Sequence, residues 1–348
     1  MTLLFPTTIV GSYPQPDWLI DKEALGSRVP RIRATELWRI PKEYLQEALE
    51  DATIVAIRAQ EEIGIDIVTD GEIRRESYSN RFATALDGID QDNPASVPSR
   101  SGRPTFVPRI TGKIRRTRPV EVEDLLFLKK HSAKQVKITV PGPFTMLQQA
   151  KNEFYPTEEA AAMDYAAALN AEIKDLFANG ADVVQIDEPY MQASPDKARE
   201  YGVKALNAAL EGAAGTTAVH ICFGYAALVH QRPSGYDFLP ELAACGCKQV
   251  SIETAQSNLD CSILKTLPGK QIMVGCIDLN DQSIESPATI VARIKKALKY
   301  IEPAQVILAP DCGMKYLPRA VADGKLASMV AAARLLRQEY GAEKREQR

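Results

Sequence analysis

Eight short apolar segments with β-strand character recur along the chain, and most are separated by a stretch with helical spacing. They lie at positions 7–13, 67–69, 136–140, 182–186, 217–222, 249–252, 271–276 and 305–308. Short, continuously apolar strands are typical of a parallel sheet that is buried on both faces. The pattern predicts an α/β fold, a single (β/α)8 TIM barrel that spans residues 1–348.

A doubly wound parallel sheet is the alternative arrangement of the same elements. A nucleotide-binding sheet of that kind carries a glycine-rich turn after its first strand, and the chain contains neither GxGxxG nor GxxxxGK[ST]. The barrel is therefore preferred.

Two regions are expected to depart from the repeated strand–helix unit. Residues 14–40 predict an irregular N-terminal excursion, rich in charge and proline. Residues 90–122 are too short for a core of their own and predict an insertion after the second strand, with a loop at 90–103. Within it, 105–114 and 119–122 are expected to form a small hairpin. The end of the chain, 341–348, is expected to be a solvated tail.

Helical spacing of apolar residues predicts the helices of the barrel. They are expected at 42–63, 77–88, 157–179, 195–213, 291–300 and 318–340. The clearest is 157–179, with Thr157 as N-cap and Gly180 just past the end.

Composition excludes several classes of function. The net charge is −3, with 45% hydrophobic and 25% charged residues, so we expect neither a nucleic-acid surface nor a basic membrane-binding face. No apolar run approaches the roughly 18–20 residues of a membrane span. The start of the chain has no signal-peptide pattern, and the six cysteines are therefore expected to be free thiols in a reducing cytoplasm.

Polar residues concentrate where the predicted strands end, and four of them form a ligand set. His220 and Cys222 lie two residues apart in the fifth strand, so their side chains face the same side. Glu253 follows the sixth strand and Cys312 the eighth. Because strand ends converge on one mouth of a barrel, these residues predict a site suited to Zn²⁺. In the alternative, the cysteines are small buried residues and Glu253 a solvated acid.

A zinc ion with two thiolate ligands is suited to holding a substrate thiol as thiolate near neutral pH, which predicts alkyl transfer to sulfur. Glu72 and Asp187, each close to a second acid, could bind an ammonium group. Gly11 and Ser12 offer a backbone N–H and a hydroxyl for a carboxylate. Together these groups predict an amino-acid thiol as substrate. In the alternative for 187–189, Asp187 and Glu188 cap the following helix.

Seven motifs give the chain a resemblance to a known family. They are TTIVGSYPQP (7–16), DGE (70–72), VPGPFTM (140–146), QIDEP (185–189), VHIC (219–222), SIETA (251–255) and APDCGMK (309–315). Over nearly its whole length, the chain resembles the catalytic C-terminal domain of cobalamin-independent methionine synthase, which implies a TIM-type barrel. The residues that match the family's zinc ligands are His220, Cys222, Glu253 and Cys312, and those that match its homocysteine-binding positions are Val10, Gly11, Ser12, Glu72 and Asp187.

The resemblance is weaker on the side of the methyl donor. The family's folate-contacting acid aligns with Ala193, its folate-stacking tryptophan near Gln149, and its proton-donating histidine with Asn280. No general acid is assigned, and Asp278 is the one catalytic candidate nearby. The printed sequence also has no counterpart of the family's N-terminal barrel. These departures imply a methyl donor other than polyglutamyl methyltetrahydrofolate, such as a corrinoid protein.

Three functions remain open at this point. The first is a zinc-dependent methyltransferase that converts homocysteine to methionine. The second is a zinc-dependent thiol alkyltransferase or C–S lyase, similar to the branch that transfers coenzyme M to epoxides. The third is a non-catalytic, zinc-stabilised binding module, which would have a closed metal site. The acids Glu72 and Asp187 favour the first.

Overall fold

A computed structural model describes residues 3–27, 29–98, 104–224 and 235–346. Its centre is a parallel sheet in the order β1-β4-β6-β7-β8-β9-β10, with a second, three-stranded sheet β2-β3-β5 beside it. The strands are β1 (Ile67–Val68), β2 (Asp87–Pro98), β3 (Pro104–Arg115), β4 (Gln135–Pro141), β5 (Lys151–Asn152), β6 (Val183–Asp187), β7 (Thr216–Ile221), β8 (Gln249–Glu253), β9 (Gln271–Gly275) and β10 (Val306–Ala309).

The N-terminal segment bridges the two edges of the central sheet. Thr7 pairs with Leu308 of β10, and Thr8 pairs with Ile67 of β1, both in parallel. Thr8 N donates to Leu308 O at 3.0 Å, and Thr8 Oγ1 donates to Ile67 O at 2.9 Å. The sheet is therefore curled and TIM-barrel-like. The strand expected at 7–13 is reduced to these two bridge residues, because the backbone then leaves the ladder: Tyr13 N donates to Gly71 O instead.

Helices connect the strands and cover the outside of the sheet. They are α1 (Lys22–Ser27), α2 (Lys42–Ile63), α3 (Asn80–Thr84), α4 (Val122–His131), α5 (Pro143–Gln148), α6 (Glu158–Ala178), α7 (Pro189–Ala193), α8 (Pro195–Lys197), α9 (Val203–Leu210), α10 (Pro287–Ala297) and α11 (Arg319–Glu346). A π-helical turn, Ala198–Gly202, joins α8 to α9, and four 3-10 turns lie at Thr35–Leu37, Leu239–Ala244, Cys261–Thr266 and Pro303–Gln305. None of the helices in the described ranges has the length and hydropathy of a bilayer span.

The predicted ends of α6 are confirmed in atomic terms. Thr157 Oγ1 accepts a hydrogen bond from Ala160 N, which satisfies one of the free N–H groups of the first turn. Gly180 has φ +85°, a left-handed conformation that glycine adopts without strain just past a helix end.

Alternation along the central strands separates an outer apolar face from a mixed inner face. In β6, Val184 and Ile186 belong to the large core beneath the helices, whereas Val183 belongs to a small, separate cluster of apolar side chains. That inner cluster consists of Ile67, Val183, Ala218, Met273, Ile307 and Ala309. Farther toward the carboxyl ends, polar side chains replace these residues on the same face, and this change positions the functional site.

The insertion follows β1 as expected, but its hairpin is built differently. β2 and β3 pair antiparallel from Asp87 opposite Arg115 to Pro98 opposite Pro104. The loop expected at 90–103 is thus largely a strand, and 119–122 is not a strand; it leads into α4. The prediction failed because the proline and asparagine at 93–94 fall within a register shift between Asp90 and Ala95, where a bulge tolerates them. Residues 99–103 lie outside the described residues.

Two other sequence predictions also need correction. The helix expected at 77–88 is limited to α3, Asn80–Thr84, because Asp87 already begins the hairpin. The last helix, expected to end at 340, continues to Glu346, since the glutamates and lysines there have good helix propensity; solvation of the 341–348 tail stays a prediction. Residues 347–348 lie outside the described residues.

Candidate metal centre and substrate site

Three predicted ligands converge at the carboxyl ends of the central strands. His220 is on β7, Cys222 directly follows that strand, and Cys312 lies in the loop after β10. One ligand atom from each lies within 4.8 Å of the other two, and all three residues are buried. This is the only such group of three or more His, Cys, Asp or Glu found in the described residues.

The two sulfur atoms have the spacing and the electrostatics of a metal-binding pair. Cys312 Sγ is 3.6 Å from Cys222 Sγ, and two thiolates on one tetrahedral Zn²⁺ with bonds of about 2.3 Å would have a similar separation. The hydrogen bond from Cys312 lowers the pKa of the Cys222 thiol well below its usual value, and His220 lowers it further despite burial. The same contact raises the pKa of Cys312. One thiolate is therefore favoured before any metal binds.

His220 is held so that one ring nitrogen faces the thiols. Its Nδ1 is 2.9 Å from Ser251 Oγ, and the two residues are direct neighbours in the β7–β8 register. Its Nε2 is buried and has no hydrogen-bond partner, which is rare for a buried polar atom. A metal ion at this point would satisfy Nε2, and Ser251 would fix the orientation of the ring.

Glu253 lies beside the centre but is not a member of the three-residue group. It is fully buried at the end of β8, and its Oε1 accepts a hydrogen bond from Phe223 N at 3.0 Å. Tyr236 links the same strand ends, because its OH donates to Ile221 O and accepts from Glu253 N. Glu253 contacts the backbone of Phe223, the residue after Cys222. Its role as a fourth ligand therefore stays a prediction.

Asp311 ties the loop that carries Cys312 to the end of β8. Its carboxylate accepts hydrogen bonds from the backbone N–H groups of Thr254, Ala255 and Gln256. Burial raises the pKa of Asp311 to about 7, against the lowering effect of those N–H groups. The residue before Cys312 thus has a structural task that keeps the Cys312 loop in place.

Ser12 and Glu72 present unsatisfied oxygens near the mouth. Glu72 Oε1 accepts from Thr139 Oγ1 at 3.0 Å, while Glu72 Oε2 and Ser12 Oγ are buried without a partner. Glu72 has φ +52°, an uncommon conformation for a residue with a side chain and one that clusters at functional sites. A Cβ on Gly11 would meet Glu72 Oε1 and the methyl group of Thr139. Gly11 therefore leaves the room that the Glu72 carboxylate occupies.

Asp187 stands opposite His220 in the β6–β7 register. Burial raises the pKa of Asp187 to about 7, His220 lowers it, and the charge of Glu72 raises it. Gln185 Nε2 donates to Asp187 Oδ1 at 2.8 Å, and Lys137 Nζ donates to Gln185 Oε1 at 2.9 Å. The charge of Glu72 thus acts on Asp187, and both acids act on the buried Lys137.

The remaining predicted residues have local structural contacts. Val10 is buried just before Gly11. Glu188 accepts hydrogen bonds from Phe144 N and Thr145 N, so it caps α5 rather than its own helix α7, and burial raises its pKa to about 8. Asp278 Oδ1 accepts from Asn280 N at 2.8 Å, which forms a turn after β9. A catalytic role of Asp278 therefore remains a prediction.

Sequence reasoning missed several residues around the site. Ser251 was detectable, because it lies two residues before Glu253 and so faces the same side of β8. Tyr236 was not, since it contacts the strand ends from an irregular segment without periodicity. The third histidine, His131, lies at the end of α4, away from this group, and His230 lies outside the described residues. All six cysteines are unpaired and buried.

Comparisons with known proteins identify relatives that match almost the whole chain. The family described as "Cobalamin-independent synthase, Catalytic domain" matches residues 5–335. A methionine synthase of Pyrococcus abyssi is 33% identical over 346 residues, 98% of this chain and 96% of its own. One from Pyrococcus horikoshii is 34% identical over 340 residues, 97% of this chain and 94% of its own. A solved B12-independent methionine synthase from Shewanella sp. W3-18-1, in complex with selenomethionine, has a TM-score of 0.89 and 32% identity, and the match covers 97% of this chain and 99% of that one.

Proposed function

This chain belongs to the family of the cobalamin-independent synthase catalytic domain, and we propose that it transfers a methyl group to the thiol of homocysteine at a zinc centre. The reaction class follows from relatives named methionine synthase that match almost the full length of the chain. The observation that carries the zinc proposal is the orphaned, buried His220 Nε2 beside the Cys222–Cys312 pair. The fold we propose is a complete (β/α)8 barrel, with Thr7 and Thr8 in the place of its first strand.

We propose His220, Cys222, Glu253 and Cys312 as the metal ligands. Two sulfurs, one ring nitrogen and one carboxylate are a donor set that Zn²⁺ accepts. When bound, a zinc ion supplies one function here: it lowers the pKa of the substrate thiol, so that the thiolate is the nucleophile at neutral pH. Ser251 Oγ, 2.9 Å from His220 Nδ1, would accept the Nδ1 proton of the tautomer that leaves Nε2 free for the metal.

The polar groups of the mouth suit the two ends of an amino acid. Glu72 and Asp187 are a pair of mutually repelling buried carboxylates, and an ammonium group between them would relieve that repulsion. The unpaired hydroxyl of Ser12 is available to donate to a carboxylate. Val10 and Gly11 shape the backbone next to it. The solved Shewanella relative is in complex with selenomethionine, the selenium analogue of methionine, which supports an amino acid of this kind as the ligand.

The methyl donor is proposed to differ from polyglutamyl methyltetrahydrofolate. Gln149 stands near the position where the family has a folate-stacking tryptophan, and its amide is engaged on both ends: Nε2 donates to Tyr78 OH at 2.6 Å and Oε1 accepts from Ser79 Oγ at 2.7 Å. It offers a hydrogen-bonded edge rather than an aromatic face for stacking. A corrinoid protein or a small-molecule methyl carrier is the proposed methyl donor. The cytoplasm is the proposed location of the protein.

Metal analysis followed by zinc-edge X-ray absorption tests the centre. We expect one zinc per chain and, on addition of homocysteine, one additional sulfur ligand at about 2.3 Å. A Cys222→Ser variant should lose most of the zinc, whereas Cys261→Ser, which changes a buried cysteine elsewhere in the fold, should keep it. Zinc retained unchanged in Cys222→Ser contradicts the ligand assignment.

A donor screen then tests the reaction. Zinc-loaded protein is incubated with homocysteine and, separately, methylcobalamin, methyltetrahydrofolate monoglutamate and its polyglutamate, and methionine is quantified by mass spectrometry. We expect methionine with methylcobalamin and no advantage of the polyglutamate over the monoglutamate. A strong preference for the polyglutamate contradicts the donor proposal but leaves the zinc centre intact.

A further inference from the structure

Arg31 lies in the irregular segment between α1 and the turn Thr35–Leu37, and its backbone is fixed on both sides. Ser77 Oγ donates to Pro30 O at 2.8 Å, and Asn80 Nδ2 donates to Ile32 O at 3.0 Å. Both donors come from the region just after Glu72. The segment that carries Arg31 is therefore anchored to the same loop that carries a substrate-binding acid.

The guanidinium of Arg31 is flanked by aromatic rings and lacks a carboxylate partner. Its Cζ is 5.8 Å from the ring centroid of Tyr78 and 5.9 Å from that of Tyr190. Its Nη1 is buried without a hydrogen-bond partner. The side chain has a hydrogen bond with Tyr78, but a buried charged donor such as Nη1 is costly to leave without a partner.

The described arginines near Arg31 form ion pairs, which makes Arg31 unusual among them. Arg33 forms an ion pair with the buried Glu76 at 3.0 Å. Arg75 contacts Asp70 at 3.1 Å, and Arg81 contacts Asp124 at 2.7 Å. Within the described ranges, Arg31 takes part in no ion pair. Its positive charge is thus available for a ligand.

Two tyrosines connect Arg31 to the metal centre. Burial raises the pKa of Tyr78, Arg31 lowers it, and Cys222 is among the groups that raise it. Burial likewise raises the pKa of Tyr316, with Arg31 lowering it and Cys312 raising it. Each phenol is therefore within electrostatic reach of Arg31 and of one of the two thiols. Tyr190, whose ring also faces Arg31, lies three residues after Asp187, in the helix that directly follows β6, so Arg31 is next to the strand end that carries Asp187.

We propose, on the basis of the proposed methyl transfer, that Arg31 binds an anionic group of the methyl donor, a carboxylate or a phosphate. A guanidinium forms paired hydrogen bonds to either oxyanion, and the rings of Tyr78 and Tyr190 would lie against the rest of the donor. The proposed partner of the homocysteine carboxylate is Ser12, whose buried hydroxyl has no other partner, so the charge of Arg31 is left for the second substrate. Gln149 holds the Tyr78 hydroxyl in place, which keeps this surface preformed.

Calorimetric titration tests the proposal with two probes, glutarate for a carboxylate and inorganic phosphate for a phosphate. Each is titrated into zinc-loaded protein with and without saturating homocysteine. Because homocysteine occupies the open position of the zinc, binding that persists in its presence does not take place at the metal. We expect one probe to bind the homocysteine complex, and Arg31→Gln to weaken that binding at least tenfold. Arg31→Lys keeps the positive charge but not the paired N–H donors of the guanidinium. Its affinity for the probe should lie between those of the wild type and of Arg31→Gln. Arg39→Gln is the matched control, because Arg39 is an exposed arginine of the same excursion that pairs with Asp21.

Three outcomes overturn the proposal. They are no binding of either probe to the wild type, equal binding to Arg31→Gln, and a loss of homocysteine binding in Arg31→Gln that would assign Arg31 to the amino-acid carboxylate. Circular dichroism of each variant shows whether it is folded, and Arg31→Lys supplies the comparison if Arg31→Gln is not. Failure of the proposed function is distinguishable from failure of the Arg31 proposal. It appears as the absence of a new zinc–sulfur signal on addition of homocysteine, independently of the binding of either probe.

Discussion

Replacing Ser251 by alanine should weaken metal binding without removing a ligand. Ser251 Oγ lies 2.9 Å from His220 Nδ1, and Ser251 is 1% exposed, so bulk solvent does not reach the position of the lost hydroxyl. Loss of such an outer partner of a metal ligand typically costs about 10- to 100-fold in metal affinity, which corresponds to about 1.4–2.7 kcal/mol. The cost of leaving the Nδ1 hydrogen unpaired, about 1–3 kcal/mol, is of the same size.

The affinity is measured by competition with a chromophoric zinc chelator at constant pH. Ser328→Ala is the control, because Ser328 is also a buried serine whose hydroxyl is hydrogen-bonded, to Glu285 O, but on α11 and outside the metal group. We expect Ser328→Ala to keep wild-type zinc affinity even where its melting temperature falls. Zinc bound by Ser251→Ala as tightly as by the wild type would refute the idea that this hydroxyl orients the ligand.

Three further changes separate the roles of metal, substrate and core. Cys312→Ser should reduce the zinc content to below about one tenth of an ion per chain, because one of the two proposed thiolate ligands is lost. Atomic emission measures the zinc content, and full zinc content would exclude Cys312 as a ligand. Gly11→Ala should keep zinc but raise the KM for homocysteine at least tenfold, since the added Cβ meets Glu72 Oε1; an unchanged KM in steady-state assays contradicts this. Burial lowers the pKa of Lys137 to about 7, so between pH 7 and 10 the unfolded chain holds a proton that the folded chain lacks, and stability should rise by up to about 1.4 kcal/mol per pH unit. Lys137→Met should lose that rise in urea titrations at pH 7 and pH 9, and parallel curves for the two proteins would contradict the shift.

The parts of the fold that follow from periodicity were predictable from the sequence. Seven of the predicted strands reappear within a residue or two of their expected ends, because buried parallel strands are apolar runs with sharp polar ends. The pair His220 and Cys222 was predictable for the same reason, since a spacing of two fixes a common face. The convergence of Cys312 on that pair required only that the strand ends meet, and the contact at 3.6 Å agrees.

Other features depend on contacts that a single sequence does not encode locally. The polar residues and the proline of β2 are typical of a turn, so the sequence predicts a loop there. Pairing with β3 stabilises the segment as a strand instead. The first strand was expected to be long, but the backbone at Tyr13 bonds to Gly71 instead of continuing the ladder. Arg31 could not be distinguished from other arginines in the sequence, because only the three-dimensional contacts show that no carboxylate pairs with it in the described ranges.

The bridge from Thr7 to Leu308 has a consequence for how the protein is made. The two residues that close the sheet are about 300 positions apart, and a ribosome adds about 5–20 residues per second. The N-terminal segment must therefore wait roughly 15–60 s before its partner strand exists. Ser12 and Cys312 lie just beyond the two sides of this bridge, and Met314 N donates to Ser12 O at 2.9 Å. The closing of the sheet and the completion of the catalytic mouth are thus one late event, so a nascent chain cannot bind its substrate before the last strand has formed.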